Sequence, residues 1–260
     1  MTVPRTTQGF ASGHVRFVGA GPGDPELLTL AALRALETAE VILHDRLIST
    51  DILALAGPAA QLTETGKTGF GQAMKQDDIN ARIVAAAQSG ARVVRLKSGD
   101  ATVFGRLDEE IEACDAAGIS WSIVPGITAA SAAVAAIGQS LTRRGRNSAV
   151  RLITGHDVEG YADHDWAVLA RPGEVAAIYM GLRAARFLQG RLIMHGADRA
   201  TPVTLVANAS RPDQQVLATT LDRLTDDLAR AELSGPVLTL FGLAPRTAEI
   251  LLPALDKERA

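Results

Sequence analysis

Val18-Gly19-Ala20-Gly21-Pro22-Gly23-Asp24-Pro25 follows an apolar run over residues 14–19 and precedes a helical pattern over residues 25–39. A buried-type strand, a glycine-rich turn and a helix opened by proline make one β-turn-α unit. The unit recurs. Further strands are predicted at 41–44, 92–96 and 121–124, with helices at 77–88, 108–117 and 127–137. Past residue 147 come strands at 149–154, 175–180, 202–207, 215–219 and 237–241, interleaved with helices at 184–195, 221–232 and 246–255. This alternation predicts an α/β fold with mostly parallel sheets.

The pattern breaks over residues 138–147, where Gly138 and Gly145 accompany Arg143, Arg144 and Arg146. A domain junction is expected there, giving a loose tail over 1–13, an α/β domain over 14–140 and a second α/β domain over 141–260. The length of 260 residues suits one large domain or two small ones. With 47% hydrophobic and 21% charged residues the chain can fill a core, which excludes wholesale disorder. A net charge of −3 gives no global electrostatic case for nucleic acid. No apolar run approaches the roughly twenty residues of a membrane span, and the first residues lack the apolar core of a secretory signal. The single cysteine, Cys114, excludes an internal disulfide and a multi-cysteine zinc site, and a reducing, cytoplasmic location is expected. His14, His44, His156, His164 and His195 are scattered without metal-ligand spacing, so no metal is expected.

The loops carry the chemistry. In open α/β sheets ligands bind at the carboxyl ends of strands. The loop at residues 18–25 fails the dinucleotide fingerprint, because Asp24 stands where its last glycine is required and sets a carboxylate where a diphosphate would lie. Thr65-Gly66-Lys67-Thr68 fails the phosphate-loop pattern, because Gln61 occupies the position of its first glycine. Asp45 closes the second strand in His44-Asp45-Arg46-Leu47, and Asp100 lies in Lys97-Ser98-Gly99-Asp100-Ala101 after the third. Each is a structural cap taken alone; with Asp24 they are three carboxylates at strand ends, which suggests a shared cleft. Arg106, Arg143, Arg144 and Arg146 are either a solvated stripe or a grip for a polycarboxylate ligand.

Taken in order, these loops resemble the tetrapyrrole methylase family. The resemblance rests on Val18 through Thr29, His44-Asp45-Arg46-Leu47, Gly66-Lys67, Arg95 through Asp100, Val103-Phe104-Gly105-Arg106, Val124 through Ala129, Leu141-Thr142 and Thr154-Gly155-His156. Tyr179-Met180-Gly181, Thr201-Pro202-Val203 and Pro212-Asp213-Gln214 extend it, so that it spans roughly residues 14–242. It implies two α/β domains with the cofactor cleft between them, a homodimer, and S-adenosyl-L-methionine as methyl donor to a tetrapyrrole. The expected acceptor is uroporphyrinogen III, methylated twice, through precorrin-1 to precorrin-2. Another precorrin as substrate, a non-catalytic S-adenosylmethionine-binding homologue and a nicotinamide-dependent reductase are the alternatives, the last disfavoured by Asp24.

By position the resemblance implies that Pro22, Ser98, Gly99, Asp100, Val103, Thr128, Ala129, Met180, Ala209 and Val237 line the S-adenosylmethionine site. Asp45 matches the proton acceptor and Lys67 the proton donor, while Arg106, Glu109 and Arg144 match positions that handle the tetrapyrrole. A sulfonium donor needs no diphosphate cradle. A methylated pyrrole carbon must lose a proton, which calls for a carboxylate such as Asp45 or Asp100. The chain departs from the family at Ser98 and Ala101 within its Gly-Gly-Asp-Pro motif, at Leu107-Asp108 where two glycines are usual, and at Arg143 for a histidine.

Overall fold

The structure is a computed structural model that describes residues 10–65, 74–157 and 160–246. The chain divides into two compact units, Met1–Thr128 and Ala129–Ala260.

The first unit is built on five strands: β1 Val15–Gly19, β2 Val41–His44, β3 Gln61–Glu64, β4 Val93–Lys97 and β5 Trp121–Val124. They hydrogen-bond in the order β3-β2-β4-β1-β5, every pairing parallel. Parallel strands need crossovers, and helices α1 Leu30–Thr38, α2 Thr50–Leu53, α3 Gln76–Gln88 and α4 Leu107–Ala116 lie in them. Side-chain alternation along the strands gives two cores. Val15, Phe17, Leu43 and Val93 pack with Ile79 and Ile83 of α3 and Leu107 and Cys114 of α4. Val18, Ile42, Val94 and Leu96 pack on the other face with Ala32, Ala35 and Leu36 of α1. β1 therefore leaves toward one face and β4 toward the other, which makes the crevice between these central strands the topological switch point.

The helix expected over 25–39 is two pieces. Asp24 caps a 3-10 turn at Pro25–Leu27 through Glu26 N (2.9 Å), and Thr29 caps α1 through Ala32 N (3.1 Å). Two capping side chains five residues apart start two helices.

The second unit holds α5 Ala129–Ala136, β6 Arg151–Thr154, α6 Trp166–Leu169, β7 Ala176–Tyr179, α7 Ala185–Met194, β8 Pro202–Ala207, β9 Gln215–Thr220, α8 Leu224–Arg230 and β10 Val237–Phe241. Its strand order is β6-β7-β10-β8-β9. Only β6 and β7 pair in parallel; the other three pairings are antiparallel, so this sheet is mixed where the first is wholly parallel. The cause is local: β8 and β9 are joined by residues 208–214 without a helix, a connection that suits antiparallel neighbours.

The division at Thr128 and Ala129 falls ahead of the junction expected at 140/141. Helix α5 explains it. Ala130, Ala132, Ala133 and Val134 are buried against Val175, Ala177, Val206, Leu238 and Leu240 of the second sheet. The arginine-rich stretch that suggested the junction is a hydrogen-bonded turn inside the second unit. Asn147 accepts from Arg143 N (3.0 Å) and donates to the carbonyls of Leu141 (2.9 Å) and Ala149 (2.8 Å). All but the first residue of the helix expected over 246–255, and the tail residues 1–9, lie outside the described residues.

Candidate active site

The loops leaving β1 and β4 at the switch point are tied to each other by a pair of backbone hydrogen bonds. Gly21 N donates to Gly99 O (3.0 Å) and Gly99 N to Gly21 O (2.8 Å), both glycines having φ near +70°. Such φ values favour glycine, and backbone pairing of this kind brings the two loops close without side chains between them. Pro22 is buried in the first loop. In the second, Ser98 and Val103 are half-buried, Gly99 is buried and Ala101 is fully buried.

Asp100 uses both carboxylate oxygens as a clamp. Oδ1 accepts from Thr102 N (2.8 Å) and Thr102 Oγ1 (2.5 Å), and Oδ2 accepts from Gly126 N (2.9 Å). It fixes its own loop to the one leaving β5, where Thr128 lies. Asp24 accepts from Glu26 N through Oδ1 and so sets a negative charge at the helix start after β1, where an anion would be repelled. A ligand there meets glycines, small side chains and a carboxylate. That donor set fits a sulfonium and not a diphosphate.

Asp45 follows β2, its side chain 31% exposed, and accepts a hydrogen bond and ion pair from Arg95 Nη2 at 2.5 Å. Arg95 belongs to a charged group absent from the sequence expectation. With Lys97 it alternates with apolar residues along β4, so both point to the α3–α4 face, where Glu110 of α4 meets them. Glu110 Oε1 accepts from Arg95 Nε (2.9 Å) and Oε2 from Lys97 Nζ (2.8 Å). Both cations are 3% exposed and Glu110 is 0% exposed. Burial works against the Arg95 charge, but Asp45 and Glu110 more than restore it and hold its pKa above the ordinary value. Burial and the Arg95 charge pull Lys97 below the ordinary range despite Glu110. The sequence signal was available: two cations at alternate positions of an otherwise apolar strand.

Arg106 has φ +53° at the start of α4, and its guanidinium forks onto Glu109, both contacts 2.7 Å. The pair is exposed. The hydrogen bond from Arg106 holds the Glu109 carboxyl below the usual range, and reciprocally Arg106 is raised. Phe104 and Arg106 border an open depression of about 460 Å³. Leu107, a departure from the family pattern, is buried in the core beneath it, as is Ala101. Lys67 lies outside the described residues.

In the second unit the strand register brings Met180, Ala209 and Val237 to one end of the sheet. Met180 follows β7, Val237 opens the antiparallel β10 beside it, and Ala209 follows β8, whose Ala207 pairs with Val237. Met180 is 52% exposed with φ +53°, and its carbonyl accepts from His156 Nδ1 (3.1 Å), at the exit of β6 at the same end. Ala209 is buried between Asn208 and Ser210, both at positive φ. Ala129 opens α5, and Arg144 is exposed in the 143–147 turn. Among the described residues, no helix is long and apolar enough to cross a membrane, and no three or more His, Cys, Asp or Glu side chains cluster so as to hold a metal ion.

Comparison with known proteins agrees with this architecture. A protein-family model, Tetrapyrrole (Corrin/Porphyrin) Methylases, matches residues 14–225, and the chain belongs to that family. It is 44% identical over 91% of its length to a uroporphyrinogen-III C-methyltransferase of Paracoccus denitrificans, covering 83% of that protein. It is 45% identical over 89% of its length to a siroheme synthase of Methylococcus capsulatus, of which it covers 49%; the chain thus spans about half the length of the curated siroheme synthases it matches. The uroporphyrin-III C-methyltransferase of Thermus thermophilus, solved with S-adenyl homocysteine, superposes with a TM-score of 0.76 at 34% identity, over 88% of this chain and 97% of that one.

Proposed function

We propose that this chain is an S-adenosylmethionine-dependent C-methyltransferase that converts uroporphyrinogen III to precorrin-2 through precorrin-1. The observation that carries the substrate is the 44% identity to the Paracoccus enzyme, maintained across 83% of that protein. The geometry supports the chemistry. Pro22, Ser98, Gly99, Asp100, Val103, Thr128, Ala129, Met180, Ala209 and Val237 are proposed to line the methyl-donor site. The donor supplies an electrophilic methyl carbon on a positively charged sulfur.

In the proposed reaction a nucleophilic ring carbon forms the new bond as the carbon–sulfur bond breaks, its electrons staying on sulfur. Placing the two carbons in line is the main rate contribution available to the protein. The ring cation then loses a proton. Asp45 is the proposed acceptor, because it is partly exposed at a strand end whereas Asp100 has both oxygens engaged. Lys67 is the proposed donor. Arg106, Glu109 and Arg144 are proposed to orient the ring through its carboxylates, for which guanidinium forks are suited. A homodimer acting in the cytoplasm completes the proposal.

The test is anaerobic incubation with S-adenosylmethionine and enzymatically generated uroporphyrinogen III or a later precorrin, read by mass spectrometry. The expected result is two methyl groups added to uroporphyrinogen III. Methylation confined to the later precorrin would favour the sister substrate, and no methyl on either would reject the proposal.

A further inference from the structure

The observation not absorbed by methyl transfer is the buried charge group of Arg95, Lys97 and Glu110. Removing ions from water is costly, and apolar residues of similar volume would often fill such a site as well or better. What distinguishes this group is its shape. Three members are buried, and the fourth, Asp45, opens toward solvent at the end of β2.

Arg95 is held on every side of its fork. Nε donates to Glu110 Oε1 (2.9 Å), and Nη1 donates to the carbonyls of Leu96 (3.2 Å) and Leu43 (3.4 Å). Nη2 is left to donate to Asp45 Oδ1. Glu110 is itself held, by Lys97 at Oε2 (2.8 Å) and by Gln76 Nε2 at Oε1 (3.3 Å). Among the described residues Asp45 Oδ2 accepts no hydrogen bond. The arrangement thus fixes one oxygen of Asp45 from behind and presents the other.

We propose that Arg95 and Glu110 are positioning residues for the reaction: Glu110 orients the Arg95 guanidinium, which in turn holds Asp45 so that Oδ2 faces the proton to be taken. This rests on the functional proposal above. Neither residue touches substrate in this scheme, and Lys97 balances the charge of Glu110.

The test is a double-mutant cycle on the full chain, measuring kcat for methyl transfer and calorimetric affinity for S-adenosylhomocysteine. Arg95→Lys keeps the charge and loses the fork. It should lower kcat on the order of tenfold to a hundredfold, with S-adenosylhomocysteine affinity changed less than about twofold. In an Asp45→Asn background the same change should have almost no further effect on kcat, because the residue through which Arg95 acts is already disabled. Equal losses in both backgrounds, or no loss in either, would overturn the inference.

Should Arg95→Lys fail to fold, a charge-balanced comparison replaces it. Lys97→Met with Glu110→Gln retains an acceptor for Arg95 Nε, and Lys97→Met with Glu110→Leu does not. The first pair should retain kcat far better than the second, and equal kcat in the two would overturn the inference. A wild-type protein that transfers no methyl group overturns the functional proposal and this inference with it. A methylating wild type with additive losses overturns the inference alone.

Discussion

Gly126 stands directly on Gly19: a Cβ built on Gly126 would lie 2.8 Å from the Gly19 carbonyl carbon and 2.2 Å from Gly99 O. The loops leaving β1, β4 and β5 therefore meet at a point where only hydrogen fits. Gly126→Ala is expected to destabilise the fold by about 3 kcal/mol, the upper end of ordinary overpacking, because backbone and not a flexible side chain must move. Urea denaturation checks this. An unchanged midpoint would contradict the close approach.

Asp100 joins two of those loops with three accepted hydrogen bonds. Asp100→Asn keeps one acceptor oxygen and turns an amide N–H toward a backbone or hydroxyl donor. The expected cost is about 1–3 kcal/mol of stability together with a loss of S-adenosylhomocysteine affinity on the order of tenfold. Calorimetry on the folded variant reads the second, and full affinity would remove Asp100 from the methyl-donor site.

Arg106 and Glu109 form a solvent-exposed pair, and such pairs contribute about 0–1 kcal/mol. Arg106→Ala should leave the melting temperature within a few degrees of wild type while raising KM for the tetrapyrrole or abolishing turnover. Thermal denaturation and steady-state kinetics on one preparation separate the two effects. Full activity in the variant would free this arginine from substrate handling.

Burial, reinforced by the Asp115 and Glu110 carboxylates, pushes the Cys114 thiol up to about 11. In an unfolded chain a thiol titrates near about 8.5. The folded protein holds this proton more tightly, so the corresponding stability is fully present below about pH 8.5 and is lost as pH climbs toward 11. The difference in unfolding free energy between wild type and Cys114→Ala should therefore shrink over that alkaline window. Two curves that stay parallel would refute the raised value.

The central strands were legible because β1 and β4 are short, mainly apolar and β-branched runs ended by glycine loops, and their neighbours follow from alternation. Strand β3, Gln61–Glu64, was not, since an exposed edge strand of mixed polarity carries no apolar signature. The unit boundary was obscured by composition: glycines and arginines after residue 138 look like a linker, whereas the alanines of α5 decide the matter by packing on the second sheet. Of the proposed site residues, Asp45, Asp100 and Arg106 were read from loops at strand ends. Arg95, Lys97 and Glu110 escaped because their partnership links residues 50 and 15 positions apart, a pairing that only the fold creates.

The claim on which the account depends is that the paired glycine loops after β1 and β4 receive the methyl donor. A crystal structure of the protein with S-adenosylhomocysteine tests it most directly. The account expects the ligand to lie against Ser98, Gly99 and Val103, with the serine hydroxyl turned aside or bonded to it. A ligand bound elsewhere, or loops kept closed by the Ser98 side chain at saturating ligand, would contradict it.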